Sequence, residues 1–229
     1  MQQVSIVVKQ NIIKKILYLC LIGLCIFFIS CSQNKNKASN VSNTQNTLDR
    51  SNQKNCNWCG TSEAPKNVNW KTVISPKNES GEKLIISGTV YLPDGITPAK
   101  NVIVYVYHTN NKGIYAKKGD EKGNGQYHGY LRGWMKTNVN GKYEFETIRP
   151  APYFSHGGEP AHIHYNIEAP DYPEYWLTGL WFADDPRVTD ENLQKVKRSG
   201  GFSNVVSLTK DKNNILRGTR NIILEKFKD

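Results

Sequence analysis

Cysteine is scarce in this chain. There are five in 229 residues, and three of them, Cys20, Cys25 and Cys31, fall before residue 32. Only Cys56 and Cys59 are left for the body of the protein, so no framework of bridges can replace a hydrophobic core. In an oxidising compartment Cys56-Asn57-Trp58-Cys59 reads most simply as a local disulfide. A zinc site would need two more ligands near by, and a thioredoxin-like pair would need a strand–helix context; the sequence offers neither. A comfortable membrane span is also lacking, because the one long apolar run, Ile16 to Ile29, is too short. Acidic residues are outnumbered, 20 against 30 Lys and Arg, for a net charge of +10. The basic residues are nevertheless scattered along the chain. A solvated basic surface fits that pattern better than a nucleic-acid interface, and no nucleic-acid partner is expected.

The short apolar run has a meaning of its own. Lys9, Lys14 and Lys15 precede it and Ser30-Cys31 closes it, the layout of a bacterial lipoprotein signal. On that reading residues 1–30 are removed, Cys31 becomes the lipid-bearing first residue, and the domain is exported and anchored to a membrane. An uncleaved N-terminal anchor is the alternative, with the same topology. Residues 31–60 follow as a tether carrying the Cys-x-x-Cys at its end. Most of that stretch is Asn-, Ser- and Lys-rich and too polar to offset the entropy of ordering.

From Trp70 onward short β-rich runs alternate with turns, and no internal repeat is visible. Strands are predicted over Leu84–Tyr91, Val102–Tyr107, Trp134–Val139, Lys142–Ile148, His162–Glu168 and Tyr175–Phe182, with two more near 204–208 and 220–224. Asn140-Gly141 between the third and fourth is a strong hairpin signal. One short helix is expected near 190–198, stopped by Gly200-Gly201. The pattern is that of an all-β sandwich of antiparallel strands over residues 61–229, not a parallel α/β sheet.

One motif carries chemistry. In Pro160-Ala161-His162-Ile163-His164 the two imidazoles project from the same face of a strand, and Pro160 marks where that strand begins. Tyr115 and Tyr153 lie upstream. Tyrosine ligates well only to a Lewis acid strong enough to deprotonate it, since its ordinary pKa is about 10. Two Tyr beside a His-x-His therefore point to ferric iron far more selectively than the His pair alone. His108, His128 and His156 are read as structural or solvent-facing.

The stretch from about Ile86 to Pro186 resembles the intradiol ring-cleavage dioxygenases, the protocatechuate and catechol dioxygenase family. The resemblance rests on Gly88-Thr89-Val90, Pro93-Asp94-Gly95 and Val104 to Asn110, then Gly113-Ile114-Tyr115, Leu131-Arg132-Gly133-Trp134 and Asn140 to Phe145. Ile148-Arg149-Pro150, Pro152-Tyr153 and Pro160 to His164 complete it. It implies an intradiol dioxygenase-like sandwich without the helical N-terminal region of catechol dioxygenases. It also implies non-haem Fe(III) held by Tyr115, Tyr153, His162 and His164, the first and third equatorial. Catalysis would open a catechol-type ring with O2 to a muconate-type diacid, with Tyr153 displaced and taking a substrate proton, and without NAD, flavin or reductase. Arg132, Glu159 and Gly179 are assigned to the substrate pocket. At two of these positions the chain departs from the family: Glu159 stands where an Arg is usual, and Gly179 where a Gln is usual. A carboxylate at 159 disfavours carboxylated substrates by Coulomb repulsion. A non-catalytic transthyretin-like sandwich binding metal, a catechol compound or a polymer is the alternative, and a homo-oligomer is left open.

Overall fold

The structure, a computed structural model, describes residues 59–153, 158–170, 172–195 and 199–226. The signal segment, Cys31, Cys56 and His156 lie outside the described residues. Among the described residues, eleven strands form two sheets. The first contains β1 (Lys71–Val73), β5 (Lys142–Ile148), β2 (Lys83–Tyr91), β10 (Leu216–Thr219) and β9 (Thr209–Lys210) in that order, with β11 (Ile222–Ile223) also paired to β2. The second runs β4 (Arg132–Lys136), β3 (Ile103–His108), β6 (His162–Ala169), β7 (Tyr172–Phe182) and β8 (Val205–Val206). The long central pairs are antiparallel, as expected. The short strands β1, β8, β10 and β11 instead join parallel to β5, β7 and β2.

Alternation along the strands decides what the sandwich encloses. Ile163, Tyr165 and Ile167 of β6 face the opposing sheet with Val104 and Val106 of β3, and meet Ile86, Tyr143 and Phe145 from across. Tyr165 packs edge-on to both Tyr143 and Phe145, at 6.4 and 6.2 Å between centroids, a geometry that favours aromatic pairs. The alternate residues of β6, namely His162, His164 and Asn166, consequently occupy the outer face. Truncating a residue as enclosed as Ile163 to Ala would cost about 2–5 kcal/mol.

The Asn140-Gly141 turn forms, with Gly141 at φ 66° and its N–H donating to Asn138 O at 2.9 Å. It does not close a hairpin. The preceding strand ends at Lys136 and pairs with β3, whereas β5 pairs with β2 in the other sheet. The turn is a corner between sheets: Gly141 O accepts from Val90 N at 2.8 Å, so the neighbour of the turn is β2 and not the strand before it. The 190–198 helix is described as α2 (Asp190–Lys195), its last expected residues lying outside the described ones. A one-turn α1 (Gly125–His128) was not anticipated.

Residues 59 and 60 pack with the sandwich. Cys59 is buried and disulfide-bonded, and residues 59–63 lie on the outer face of the second sheet. Buried Glu174 of β7 holds them, accepting from Gly60 N at 2.7 Å, Thr61 N at 3.2 Å and Thr61 Oγ1 at 2.6 Å. Trp134 Nε1 donates to Gly60 O at 2.6 Å. A Cβ on Gly60 would stand 2.1 Å from the Tyr105 ring, so only glycine lets the chain pass this close.

Candidate metal centre

Two loops bring the tyrosines over the His-x-His strand. The first leaves β3 at Asn110, whose side-chain oxygen accepts from Lys112 N at 2.9 Å and Ile114 N at 3.1 Å. Gly113 turns it with φ 73°, a value glycine adopts without penalty, and Tyr115 follows. The second carries Tyr153 and is tied to the first. Ala151 N donates to Asn110 O at 3.1 Å, and Thr109 Oγ1 donates to Ala151 O at 2.7 Å. Thr109 and Asn110 thus fix both tyrosine loops together. Their part in the Val104–Asn110 motif was the only sequence signal of this role.

Four donor atoms converge. Tyr115 Oη lies 2.6 Å from Tyr153 Oη and 2.8 Å from His164 Nε2. Tyr153 Oη is 2.8 Å from His164 Nε2 and 3.1 Å from His162 Nε2, and the two Nε2 atoms are 3.1 Å apart. Ligands about 2 Å from a shared ion stand roughly 3 Å from one another, so the spacing fits a single metal. The tautomer fits as well. His162 Nδ1 is 2.7 Å from Pro160 O, a carbonyl that can only accept, so Nδ1 carries the proton and Nε2 presents its lone pair to the cluster. Among the described residues no three His, Cys, Asp or Glu side chains gather on one point. The convergence is of two phenols with two imidazoles, hard oxygen donors beside borderline nitrogens, a set suited to ferric iron.

Burial keeps both phenols and the His164 imidazole neutral. It raises both phenols above the ordinary tyrosine range; at Tyr115 the Tyr153 oxygen adds to the rise, and at both phenols the Glu159 carboxylate does. Burial, and then the neighbouring His162, push the His164 imidazole well below its usual value. A site that holds neutral phenols and bare imidazole lone pairs together is one that a strongly charged ion would stabilise by displacing phenolic protons.

An aromatic stack backs His164. The Tyr107 ring lies 4.4 Å from the His164 ring at 9°, and His128 covers the other side of Tyr107 at 3.6 Å and 7°. His128 Nδ1 is 2.7 Å from Tyr105 Oη, and Tyr105 is itself capped by Gly60. Sequence reasoning passed over Tyr107 and treated His128 as incidental, because only the sheet register sets Tyr107 opposite His164.

The three pocket assignments part ways. Glu159 is exposed on the loop leading to His162, near enough for its charge to act on both phenols. Gly179 lies against His162: a Cβ there would be 3.6 Å from His162 Cβ and Cδ2. Arg132 engages a different segment. Its Nη1 donates to Glu63 at 2.6 Å and its guanidinium lies 5.1 Å over Trp134, so it anchors the 59–63 segment. A carboxylate on that segment, invisible to strand patterning, captures it.

A family model described as "Dioxygenase" matches residues 61–214. Catechol 1,2-dioxygenase 1 of Acinetobacter lwoffii is 32% identical over 136 residues, 53% of this chain and 42% of the relative. The protocatechuate 3,4-dioxygenase beta chain of Burkholderia cepacia is 28% identical over 121 residues, 51% of each. The chain thus spans about half, or less, of these curated relatives. Among solved structures, catechol 1,2-dioxygenase of Acinetobacter radioresistens superposes with a TM-score of 0.55 at 24% identity, covering 70% of this chain and 58% of that one. The dioxygenase domain of a Streptomyces dioxygenase carbohydrate-binding fusion gives 0.53 at 22% identity, covering 70% and 91%. These likenesses bear on the fold.

Proposed function

The chain belongs to the intradiol ring-cleavage dioxygenases, and from that premise we propose that it is a ferric enzyme opening a catechol-type ring with O2. The observation that carries the reading is the convergence of Tyr115, Tyr153, His162 and His164, whose donor atoms lie 2.6–3.1 Å apart in five pairings. These four residues would hold the metal. Ferric iron bound there would supply the Lewis acidity that turns the phenols into tyrosinates and activates a catechol toward O2.

The chain's own contributions follow from its geometry. His162 and His164 project from one rigid strand, so their separation is set by the β repeat and not by loop motion. Tyr107 holds the His164 ring in plane by stacking. Tyr153, half-buried, would as a tyrosinate take one phenolic proton of the entering substrate at Oη and a hydroxide would take the other, so no further side-chain base is required. One catechol and one O2 then yield one muconate-type diacid. The carbon–carbon bond between the hydroxylated carbons breaks and each new carboxylate keeps one atom from O2, leaving no call for an external reductant. Glu159 beside the phenols selects against carboxylated catechols and in favour of neutral ones. We further propose that the domain is exported and lipid-anchored through Cys31.

Iron content, the visible spectrum and O2 uptake of the purified protein with catechol test the reading together. A coloured protein with a tyrosinate-to-iron charge-transfer band, one O2 consumed per muconate-type product, is expected. Tyr115→Phe or Tyr153→Phe should shift or weaken the band. A colourless, stably folded protein carrying stoichiometric zinc would overturn the ferric assignment.

A further inference from the structure

The turn after β7 holds a buried carboxylate that touches none of the four donors. Asp185 is 6% exposed. Its Oδ2 accepts from Ala161 N at 2.8 Å and its Oδ1 from Arg187 N at 2.8 Å; the Arg187 guanidinium reaches it only at 4.0 Å. Asp184, one residue earlier, behaves conventionally: exposed, and bonded through both oxygens to Arg149 at 2.7 Å.

The Ala161 N–H belongs to the same peptide unit as the Pro160 carbonyl, and that carbonyl accepts the Nδ1 proton of His162 at 2.7 Å. Asp185, one planar amide and His162 therefore form a continuous hydrogen-bonded line that ends at Nε2. Amide resonance couples the two ends. A carboxylate on the N–H side enriches the carbonyl oxygen, which draws harder on the Nδ1 proton and leaves Nε2 a stronger lone-pair donor toward a metal. Metal-binding histidines commonly receive this support from a carboxylate directly; here a peptide plane stands between the two. The line is also held from outside. Pro160 fixes its own φ, and Asn192 Nδ2 bridges Gly158 O at 3.0 Å and Arg187 O at 2.8 Å, tying α2 to both loops.

We propose that Asp185 is a positioning residue for His162, orienting the ring and raising its donor strength through the Pro160–Ala161 peptide. The proposal rests on the ferric reading above. Asp185→Asn keeps the shape but can satisfy only one of the two N–H groups. It should weaken iron binding by about 10- to 100-fold, move the charge-transfer band to longer wavelength and raise the Fe(III)/Fe(II) potential, since a poorer nitrogen donor leaves the iron more electron-deficient. Asp184→Asn removes the same charge one residue away without touching the line, and should leave band and potential where they are.

A wild type with no ferric band would overturn the metal reading and this proposal with it. A wild-type band that Asp185→Asn does not move, or that Asp184→Asn moves equally, overturns the proposal alone. Should Asp185→Asn fail to fold, 15N NMR of the metal-free wild type decides. His162 must be the Nδ1–H tautomer and the Ala161 amide must be downfield and exchange-protected; an Nε2–H tautomer or a rapidly exchanging amide sinks it.

Discussion

Replacing Glu174 should separate the cost of a lost acceptor from the cost of a lost charge. Its carboxylate receives four hydrogen bonds, from Gly60 N, Thr61 N, Thr61 Oγ1 and Asn166 Nδ2, at 2.6–3.2 Å. Glu174→Ala strands two backbone N–H groups and a hydroxyl in a site that is 4% exposed. Each stranded group costs about 1–3 kcal/mol. The 59–63 segment retains its bonds to Trp134, Asn124 and Arg132, so it cannot simply lift off and rehydrate, yet it can relax. A net loss of about 2–4 kcal/mol is expected, or roughly 4–16 °C in Tm for a domain of this size. Burial raises the carboxyl pKa despite its four donors. The native state therefore holds this proton more tightly than the unfolded chain, and ionisation works against the fold as pH rises through that window. Glu174→Gln keeps Oε1 for the two backbone N–H groups, lets its amide donate to Thr61 Oγ1, and carries no charge. It should sit within about 1 kcal/mol of wild type at neutral pH. Thermal melts of the three proteins at pH 7 are the assay. If Glu174→Ala melts within 2 °C (about the shift from 0.5–1 kcal/mol) of wild type, or Glu174→Gln is as damaging as Ala, the clamp does not hold the segment as argued.

Three further outcomes are expected. His108 is fully enclosed, bonded to Thr109 O and Thr147 Oγ1 at 2.7 and 2.8 Å, and burial holds it down to about 4. The unfolded chain takes up this proton first, so about 3 kcal/mol of stability should drain away as pH falls from about 6.5 to about 4; denaturant melts of His108→Gln should be less stable at pH 7 but flatter across that window. Glu159→Arg should raise kcat/KM for protocatechuate more than for catechol, by about 100-fold if the charge stabilises the reacting anion, and an unchanged ratio would remove Glu159 from the pocket. Cys31→Ser should release the protein from the membrane fraction with its melting temperature unaltered, whereas a wild type found wholly in the soluble cytoplasmic fraction would refute lipidation.

Much of the site was legible before any fold was known, because its signals are local or of fixed order. The His-x-His pair declares its own geometry, since a two-residue repeat in a strand admits only one arrangement of faces. The tyrosines were found through flanking motifs that survive in order and spacing. The long strands of the two sheets were legible for the same reason, since alternation and turn residues are short-range properties; the short β1, β9 and β10 were not predicted. Pairing was not. Asn140-Gly141 marks a turn, but whether its flanking strands meet depends on β2 and β3 competing for them, and each is won by a different sheet. Arg132 reads in the sequence as a pocket residue, and its ion pair with Glu63, 69 positions away, leaves no trace in the strand pattern.

What the sequence by itself determined is therefore the all-β class, from strand periodicity, and four candidate donors, the His pair from the two-residue strand repeat and the tyrosines from the motifs of the family it resembles. Tertiary structure alone decided what surrounds the donors. Tyr107 is aligned on His164 by cross-strand register, Glu174 is buried by a segment more than a hundred residues earlier in the chain, and Asp185 reaches His162 through a peptide that only loop packing brings to it. Register, burial and hydrogen bonding between remote segments are set by which surfaces close on one another, and a linear pattern carries no record of that closure.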